Sequence, residues 1–328
     1  MAMLYAGIDE AGYGPMLGPM CIGVAAFRLA DWSAGEHPPN LWDTLSEAVC
    51  RAPRDAQKRI AIDDSKKLKL SNQVKTKHPL THLERGVLSF LASDGESGHE
   101  PLASDEALFK RLDAKLEPSP WYGGEATELP LGRTAGELAL DAAALDRAIR
   151  NARVELVALR CMCIGETAFN ETVRATSTKA AVTLGAVGRH LRRLVATAER
   201  DGDDLRVVCD RLGGRTGYGR FLGEELPGLN PESLEQSPRC SVYRLSGESD
   251  RRVMFMPEGD AAHLPVALAS MAAKLVRELA MHRFNRYWTA RMPELKPTAG
   301  YVTDARRWMQ ELGDEATDEE RAAMTRIA

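Results

Sequence analysis

The sequence predicts an α/β fold, in which short apolar strands alternate with helices. Apolar runs recur along the chain, and segments with helical periodicity lie between them. Three of the apolar runs are followed closely by an acidic residue and then by a loop that contains glycine. Buried parallel strands commonly present functional side chains at their carboxyl ends, so this pattern also predicts a functional site at one edge of a sheet.

The composition is that of an ordinary globular protein. The chain has 328 residues, of which 44% are hydrophobic and 27% are charged, enough for one large domain or two modest ones. No run approaches the roughly 20 apolar residues of a membrane helix, and no signal-peptide pattern opens the sequence. We therefore expect a cytoplasmic protein that does not associate with membranes.

The charge is distributed unevenly. The net charge of −4 gives no overall basic surface for nucleic acid. Residues 58–77, however, contain seven basic residues against two acidic ones, and residues 264–310 contain eight against three. These two windows would suit a phosphate backbone if they converge in space, whereas a solvated charged surface is the more common explanation of each window alone.

Cysteine and histidine give weaker signals. The six cysteines lie mostly in apolar runs, which predicts buried free thiols rather than disulfides or a zinc site. Cys161 and Cys163 share a strand face, but no second Cys or His pair stands at ligand spacing. His78 and His82 are a spaced pair in a polar region, where a metal role is the less favoured interpretation.

The predicted elements follow one another along the chain. The first strand covers residues 3–6, and the apolar run at 21–27 is close enough to pair with it as a hairpin. Residues 30–59 are mixed, and the pair Pro38-Pro39 breaks any long helix there. The later elements are strands at 60–62, 154–164, 205–210, 241–245 and 253–256, helices at 83–91, 141–150, 169–200 and 265–291, and an acidic surface helix at 311–320.

The end of the first strand carries the strongest chemical signal. Two adjacent carboxylates, Asp9 and Glu10, precede the glycine-rich turn at residues 12–15. Acidic groups beside exposed backbone amides indicate a metal site next to a path for phosphate. Taken alone, an Asp-Glu pair is more often a solvated strand end before a tight turn.

Two further strands end near acidic residues, and a basic loop accompanies them. Asp210 closes the strand at 205–210, and Asp260 follows the strand at 253–256. Together with the first pair, these residues would offer the carboxylate oxygens that Mg²⁺ prefers, although spacing alone does not show that they converge. Lys66 and Lys67 follow a short strand-like run and would suit a loop that grips phosphate.

Five motifs in this order resemble the type 2 ribonucleases H, the ribonuclease HII family. They extend from about residue 3 to about residue 310. The motifs are Gly7-Ile8-Asp9-Glu10-Ala11-Gly12-x-Gly14-Pro15, Asp64-Ser65-Lys66-Lys67-Leu68, Asp210 after an apolar strand, Gly259-Asp260 with Ser270 and Lys274 downstream, and Gly300-Tyr301-x-Thr303.

The resemblance implies a ribonuclease H-like fold with a mixed central sheet of about five strands flanked by helices. This nuclease domain would occupy residues 1–310. Residues 93–136 would form an irregular insertion, and residues 211–252 would form an extended loop or hairpin insertion. These insertions would be a substrate clamp, a partner site or an architectural elaboration, the last being favoured. Residues 311–328 would be an acidic helical tail.

The implied activity is metal-dependent endonucleolytic hydrolysis of the RNA strand of RNA/DNA hybrids, which leaves a 5′-phosphate and a 3′-hydroxyl. Incision at ribonucleotides embedded in DNA is a second implied activity. Mg²⁺ or Mn²⁺ would be the cofactor, as a pair of ions. No protein partner is implied, and we expect a monomer. The residues that would take the catalytic and metal-binding roles are Asp9, Glu10, Asp210 and Asp260. Those that would bind the substrate are Gly12, Tyr13, Gly14, Ser65, Lys66, Lys67, Lys274 and Tyr301.

The chain departs from the family pattern at two positions. Tyr13 stands where the family usually has arginine, and Arg306 stands where a histidine is common. Because tyrosine cannot replace the phosphate contact of an arginine, hybrid cleavage is expected more firmly than incision at single ribonucleotides. We further hypothesise that Arg211 or Arg215, in the loop after the third acid, contacts phosphate.

Two other functions remain open from the sequence. The protein could be a non-cleaving nucleic-acid-binding protein on the same fold, with Tyr13 and the insertions as signs of lost or redirected activity. It could also be an unrelated metal-dependent nuclease, which would make the order of the motifs a coincidence. Retention of four mutually repulsive carboxylates argues for an active metal site.

Overall fold

A seven-stranded mixed sheet forms the centre of the structure, a computed structural model that describes residues 2–32, 35–55, 58–93 and 99–327. The strands are β1 (Met3–Ala11), β2 (Met20–Leu29), β3 (Val49–Cys50), β4 (Ile60–Ala61), β5 (Val154–Ile164), β6 (Asp204–Asp210), β7 (Pro231–Gln236), β8 (Ser241–Leu245) and β9 (Arg251–Met256). The order in the large sheet is β5-β2-β1-β6-β9-β8-β7, and β3 with β4 forms a separate parallel pair.

Helices flank this sheet. They are α1 (Leu41–Thr44), α2 (Ser65–Leu68), α3 (Thr81–Ala92), α4 (Asp105–Arg111), α5 (Ala135–Asn151), α6 (Glu166–Thr176), α7 (Lys179–Asp201), α8 (Gly219–Glu225), α9 (Gly259–Ala262), α10 (Leu264–Arg291), α11 (Val302–Leu312) and α12 (Asp318–Met324), with 3-10 turns at Pro53–Asp55, Pro120–Tyr122 and Gly313–Glu315. None of the helices in the described ranges has the length and apolar character needed to cross a membrane.

The predicted α/β class with a mixed sheet and flanking helices is confirmed. β1 pairs antiparallel with β2 and parallel with β6, and β6 in turn pairs parallel with β9. The sheet has seven strands rather than about five, because β7 and β8 of the 211–252 segment extend it beyond β9. The hairpin of β8 and β9 follows the prediction. β7 has no apolar alternation, since its side chains are largely exposed, and the sequence therefore does not reveal it.

Two glycines allow the long helix α10 to pack directly against the sheet. A Cβ added at Gly7 of β1 would lie 2.1 Å from the backbone nitrogen of Val266, and one added at Gly23 of β2 would lie 2.1 Å from the carbonyl oxygen of Ala269. Only hydrogen fits in these positions. The close approach places the α10 face that carries Ser270 immediately behind the end of β1.

The predicted helix at 169–200 is in fact two helices. α6 ends at Ser177, which has a left-handed φ of 57°, and α7 begins after Thr178, whose side chain accepts a hydrogen bond from the backbone nitrogen of Ala180. An N-cap threonine directly after a left-handed residue explains the break. α7 covers one face of the sheet, while α3, α5 and the first half of α10 cover the other.

The 93–136 segment contains more regular structure than the composition indicates. Helix α4 lies within it, and the buried carboxylate of Asp105 accepts hydrogen bonds of 2.6 and 2.7 Å from Arg283 of α10. Trp121 of the following 3-10 turn stacks on Trp288 of the same helix. Residues 94–98 of the predicted insertion lie outside the described residues. Helix α4 and the following 3-10 turn are therefore held against α10.

The predicted acidic tail contains α12 and a short segment that reaches the opening loop. Thr325 forms an isolated β-bridge with Leu17. The backbone nitrogen of Arg326 donates to the carbonyl of Met16 at 2.8 Å, and its buried guanidinium donates to the carbonyl of Pro15. Residue 328 of the predicted tail lies outside the described residues. The far end of the sequence thus supports the loop that carries the first motif.

Candidate active site

One cleft of about 480 Å³ opens at the carboxyl end of β1. Every site residue predicted from the sequence lines it: Asp9, Glu10, Gly12, Tyr13, Gly14, Ser65, Lys66, Lys67, Asp210, Asp260, Lys274 and Tyr301. The cleft therefore brings together residues from all five motifs.

The parallel pairing of β1 and β6 sets the centre of the cleft. Ile8 of β1 lies opposite Cys209 of β6, so the residues that follow, Asp9 and Asp210, lie side by side at this edge of the sheet. The carboxylate oxygens of Asp9, Glu10 and Asp210 lie within 4.8 Å of one another. This is the geometry that the strand-end pattern predicts.

Asp260 lies farther from this centre. It occupies the first turn of the short helix α9, after β9, and it lines the same cleft without joining the group of three. Burial raises its pKa, and the nearby charge of Asp64 raises it further. Its own charge raises the pKa of Asp210. The structure thus places the four predicted acids as three adjacent groups and a fourth at the side.

Burial and mutual repulsion make the three central carboxyl groups hard to ionise. Burial raises the pKa of Asp9 well above its ordinary value, and the charges of Glu10 and Asp210 raise it further. Burial and then the charge of Asp210 raise the pKa of Glu10 to about 7, while Lys66 acts in the opposite direction. Burial also raises the pKa of Asp210. A divalent cation between these groups would relieve the repulsion.

The oxygens that remain free fit a hard cation. Oδ1 of Asp210 is buried and has no hydrogen-bond partner among the described residues. Oδ1 of Asp9 accepts a hydrogen bond of 2.7 Å from the backbone nitrogen of Glu10, which orients that carboxylate. An all-carboxylate donor set with an unused oxygen suits Mg²⁺ or Mn²⁺ rather than a thiophilic metal.

The second motif forms a short helix at the side of the carboxylates. Asp64 caps α2 by accepting a hydrogen bond of 2.8 Å from the backbone nitrogen of Lys66. The hydroxyl of Ser65 lies 2.9 Å from that of Ser270 on α10. The charge of Lys66 lowers the pKa of Glu10 and of Asp210, so the lysine stands close to the acidic centre. Lys67 is exposed, and its Nζ lies 3.5 Å from Asp63.

Lys274 is less available than Lys66 and Lys67, the other lysines predicted to bind the substrate. It is largely buried in α10, and its Nζ lies 2.7 Å from Glu278. Glu278 also lies 3.8 Å from Lys69. The ammonium group of Lys274 is therefore engaged within the protein, at the base of the cleft.

Two tyrosines stand exposed at the rim. Tyr13 is 40% exposed and Tyr301 is 49% exposed, which is unusual for large side chains in the described part of this protein. The guanidinium of Arg277 lies 5.6 Å from the centre of the Tyr301 ring. One face of this ring is thus supported, and the rest is free to contact a ligand.

Arg277 joins the loops of the first and closing motifs, and the sequence did not single it out. It is fully buried in α10 and donates to the carbonyls of Leu17 and Ala299, at 3.2 and 3.0 Å. A Cβ added at Gly12, which has a φ of 89°, would lie 2.6 Å from its Nε. The available signal was its position three residues after Lys274, on the same side of the helix.

Two further residues that the sequence did not single out also line the cleft, and two that it did single out lie elsewhere. Asp64 belongs to the second motif and Glu258 to the acidic run before Asp260, and both line the cleft. Neither Arg211 nor Arg215 is among the residues that line it. Arg211 donates instead to the carbonyls of Ser237 and Pro238, and Arg215 lies over the ring of Tyr218.

Comparison with known proteins gave matches to solved structures. A scan against models of protein families gave no match, and a search of curated protein sequences gave none. The ribonuclease HII in a complex with PCNA from Archaeoglobus fulgidus is 13% identical, with coverage of 99% of this chain and 94% of that one and a TM-score of 0.43. The ribonuclease H2 of Pyrococcus horikoshii OT3 is 14% identical, with coverage of 95% and 88% and a TM-score of 0.43.

A type 3 enzyme also matches. Bst-RNase HIII in complex with Mn²⁺ is 16% identical, and the match covers 99% of this chain and 66% of that one, with a TM-score of 0.42. Identities of 13 to 16% and TM-scores of 0.42 to 0.43 are too low to transfer an activity. These three similar structures are thus ribonucleases H of types 2 and 3, and the first of these types is the family that the motifs of this chain resemble.

Proposed function

We propose that this protein is a metal-dependent endonuclease of the ribonuclease H type that hydrolyses the RNA strand of RNA/DNA hybrids. The observation that supports this most strongly is the convergence of Asp9, Glu10 and Asp210 within 4.8 Å. Lysines and exposed tyrosines surround the same cleft. A cluster of buried acids is costly for the fold, and a cation and a phosphate-containing substrate give it a use.

Asp9, Glu10, Asp210 and Asp260 would hold the divalent cations, Mg²⁺ or Mn²⁺. A pair of such ions, when bound, supplies activation of a water molecule and stabilisation of the negative charge that develops on the attacked phosphate and the leaving oxygen. The carboxylates of the chain fix where the ions lie. Ser270 would help to orient one of these carboxylates, since its hydroxyl faces Asp9 and lowers the pKa of that group.

The remaining residues of the cleft would position the nucleic acid. Lys66 and Lys67 would bind backbone phosphates, and the exposed backbone of Gly12 and Gly14 would allow the strand to approach closely. The ring of Tyr301 would pack on a sugar at the cleavage position. Selection of RNA must depend on the 2′-hydroxyl, because this group distinguishes an RNA nucleotide from a DNA nucleotide.

The proposed substrate is a continuous hybrid in preference to a single ribonucleotide in DNA. Tyr13 offers a ring and a hydroxyl at the rim but no positive charge. An arginine there would add a bidentate phosphate contact, and this chain lacks it. We further propose that the enzyme acts in the cytoplasm as a monomer.

Cleavage of labelled duplexes tests the proposal. A continuous RNA/DNA hybrid, a DNA duplex with one ribonucleotide and an all-DNA duplex are each incubated with Mg²⁺ and with Mn²⁺. We expect the hybrid to be cut with 5′-phosphate and 3′-hydroxyl ends, and Asp210→Asn to abolish the cut. Glu248→Gln, an exposed change in the turn between β8 and β9, is the matched control and should cut normally.

The other outcomes separate the alternatives. Cutting of the duplex with one ribonucleotide as well as the hybrid would show that Tyr13 is tolerated at the junction. Tight hybrid binding without cutting in either metal would favour a binding protein on the same fold. Cutting of all three duplexes would indicate a nuclease without selection for RNA.

A further inference from the structure

A second group of metal-suited side chains lies on β2 and β5, and none of its members lines the cleft. Cys21 of β2 lies opposite Cys163 of β5 in the antiparallel pairing, and Cys161 precedes Cys163 by two residues on the same face of β5. The three sulfur atoms lie within 4.8 Å of one another, and those of Cys21 and Cys163 are 3.8 Å apart. The sequence pattern places Cys161 and Cys163 on one strand face. Cys21 is 142 residues away from Cys163, and only the pairing of β2 with β5 brings it to them.

The spacing of the sulfurs matches that of ligands around one ion. A thiolate lies about 2.3 Å from a bound zinc ion, so three sulfurs arranged evenly around such a metal are about 4 Å apart. The observed 3.8 Å between Cys21 and Cys163 agrees with this. A disulfide would instead draw two sulfurs to about 2 Å and leave the third cysteine unused. Cys21, Cys161 and Cys163 are free thiols rather than disulfide partners, as predicted.

Buried positive charge lies close to Cys21, at one side of the cluster. Cys21 and Cys161 are 0% and 1% exposed. Two buried guanidinium groups, of Arg277 and Arg326, act electrostatically on Cys21. Nε and Nη1 of each arginine have no hydrogen-bond partner among the described residues. The buried carboxylate of Glu166 offsets part of the positive charge at Arg326, and a metal–thiolate group with more thiolates than cationic charge would supply a further negative partner for the two arginines.

We propose that Cys21, Cys161 and Cys163 form a three-thiolate site for a thiophilic d10 cation, with Cu(I) and Zn²⁺ as the candidates. Binding replaces three S–H bonds by three metal–sulfur bonds and releases three protons, so no oxidant or reductant takes part. Soft thiolate ligands select ions of this class, whereas the carboxylates of the cleft select hard ones. Cu(I) is the better candidate, because zinc usually takes four ligands.

The position of the site gives it a structural consequence. Arg277 lies between the cysteines and the loop of the first motif, where it contacts Gly12 and the carbonyl of Leu17. A metal–thiolate group would hold this arginine in place and thereby stiffen the loop. The inference is independent of the proposed nuclease activity.

Metal titration of the reduced, metal-free, full-length protein tests the site. Cu(I) is added under anaerobic conditions in one series, and Cd²⁺, a spectroscopic substitute for Zn²⁺, in the other. We expect a thiolate-to-metal charge-transfer band that saturates at one equivalent. Carboxylates give no such band, so the cleft acids do not interfere. Saturation in the copper series alone would identify Cu(I), and saturation in the cadmium series alone would identify a zinc-type ion.

Two variants complete the test. Cys163→Ser should lose the band at one equivalent, whereas Cys240→Ser, which changes a cysteine of similar partial burial outside the cluster, should retain it. If Cys163→Ser does not fold, alkylation of the wild type followed by mass spectrometry decides. Bound metal should then protect Cys163, the partly exposed member of the cluster, while Cys240 reacts equally with and without metal. The proposal is overturned if no band forms in either series, if Cys163→Ser keeps the band, or if metal leaves the alkylation of Cys163 unchanged.

Discussion

The hydroxyl groups of Ser65 and Ser270 lie 2.9 Å apart and join the second motif to the helix behind the carboxylates. Ser270 also faces Asp9 and lowers the pKa of that carboxyl group. A single side chain of α10 therefore touches both the acidic centre and the turn that carries Lys66. Such contacts orient metal ligands without binding the metal themselves.

Removal of this contact should impair catalysis more than folding. In Ser270→Ala we expect kcat to fall about 10-fold and the Mg²⁺ concentration for half-maximal activity to rise, because Asp9 loses a partner that orients it. Stability should fall by only about 1 kcal/mol. Steady-state kinetics over a range of Mg²⁺ concentrations and urea unfolding measure these effects.

Ser89 provides the matched control for that change. It is fully buried in α3, and its hydroxyl has no partner among the described residues. Ser89→Ala should leave kcat, the Mg²⁺ requirement and the free energy of unfolding nearly unchanged. Equal loss of activity in both variants would contradict the role given to Ser270.

Neutralising one acid should stabilise the metal-free protein while it removes activity. Burial and the charge of Asp260 raise the pKa of Asp210, so its ionised form is unfavourable in the folded state. With EDTA present, Asp210→Asn should have a higher free energy of unfolding than the wild type. Activity with Mg²⁺ should fall by about 100-fold or more, since several kcal/mol of charge stabilisation is lost. A destabilised metal-free variant would contradict this account of the cluster.

Alanine should have opposite effects on stability at two glycines, because only one of them packs against α10. Gly7→Ala should destabilise the fold by about 3 kcal/mol, because its methyl group would overlap the backbone of Val266. Gly185 of α7 has no atom within 4 Å of an added Cβ, so Gly185→Ala should stabilise the protein by about 0.5 to 1 kcal/mol. Urea unfolding of both variants decides, and destabilisation of similar size at both glycines would argue against this packing of α10 on β1.

The lysines of the second motif should set the salt dependence of hybrid binding. Lys66→Ala and Lys67→Ala should each reduce the slope of log K against log salt by about one, if each lysine neutralises one phosphate. Fluorescence anisotropy without divalent cations measures binding without cleavage. Lys115→Ala changes an exposed lysine outside the cleft and should leave the slope unchanged. If all three variants keep the slope of the wild type, Lys66 and Lys67 do not contact the phosphate backbone.

A buried histidine should make the stability depend on pH. Burial lowers the pKa of His190 from 6.5 to about 4, and Nε2 lies 3.1 Å from the carbonyl of Ile22, to which it donates as the neutral ring. The unfolded chain binds this proton more readily, so the folded state loses stability as pH falls from 6.5 towards 4.

Comparison with His190→Gln isolates this effect from that of other titrating groups. Between pH 7.5 and pH 5, the wild type should lose about 2 kcal/mol more than the variant, as calculated from the two pKa values. Urea unfolding at both pH values measures the difference. Parallel losses in the two proteins would show that His190 does not titrate in this range.

The sequence predicts the acidic residues of the cleft better than the residues that hold its loops in place. Asp9 and Asp210 were predictable as neighbours because adjacent parallel strands end at the same edge of a sheet. The helix α10 was also predictable, from its proline in the first turn and its small residues. Both features depend on local patterns, which a single sequence displays directly.

The remaining features depend on contacts between distant segments. Cys21 meets Cys161 and Cys163 only through the pairing of β2 with β5, and neither strand shows its register. In the sequence, Arg277 is one of several charged residues on a predicted helix. Its role depends on the loops of Leu17 and Ala299, which only the structure brings to it. β7 has an exposed, polar sequence, and it is a strand because β8 offers it an edge.

The contact between Arg326 and Pro15 also affects when the cleft can form during synthesis of the chain. These residues are 311 positions apart, so the ribosome completes the loop of the first motif long before its partner exists. Until that segment emerges, the loop lacks the bridge between Leu17 and Thr325 as well. A nascent chain would therefore hold its acidic residues beside an unsupported loop, and the finished cleft would form only after residue 326 has been synthesised.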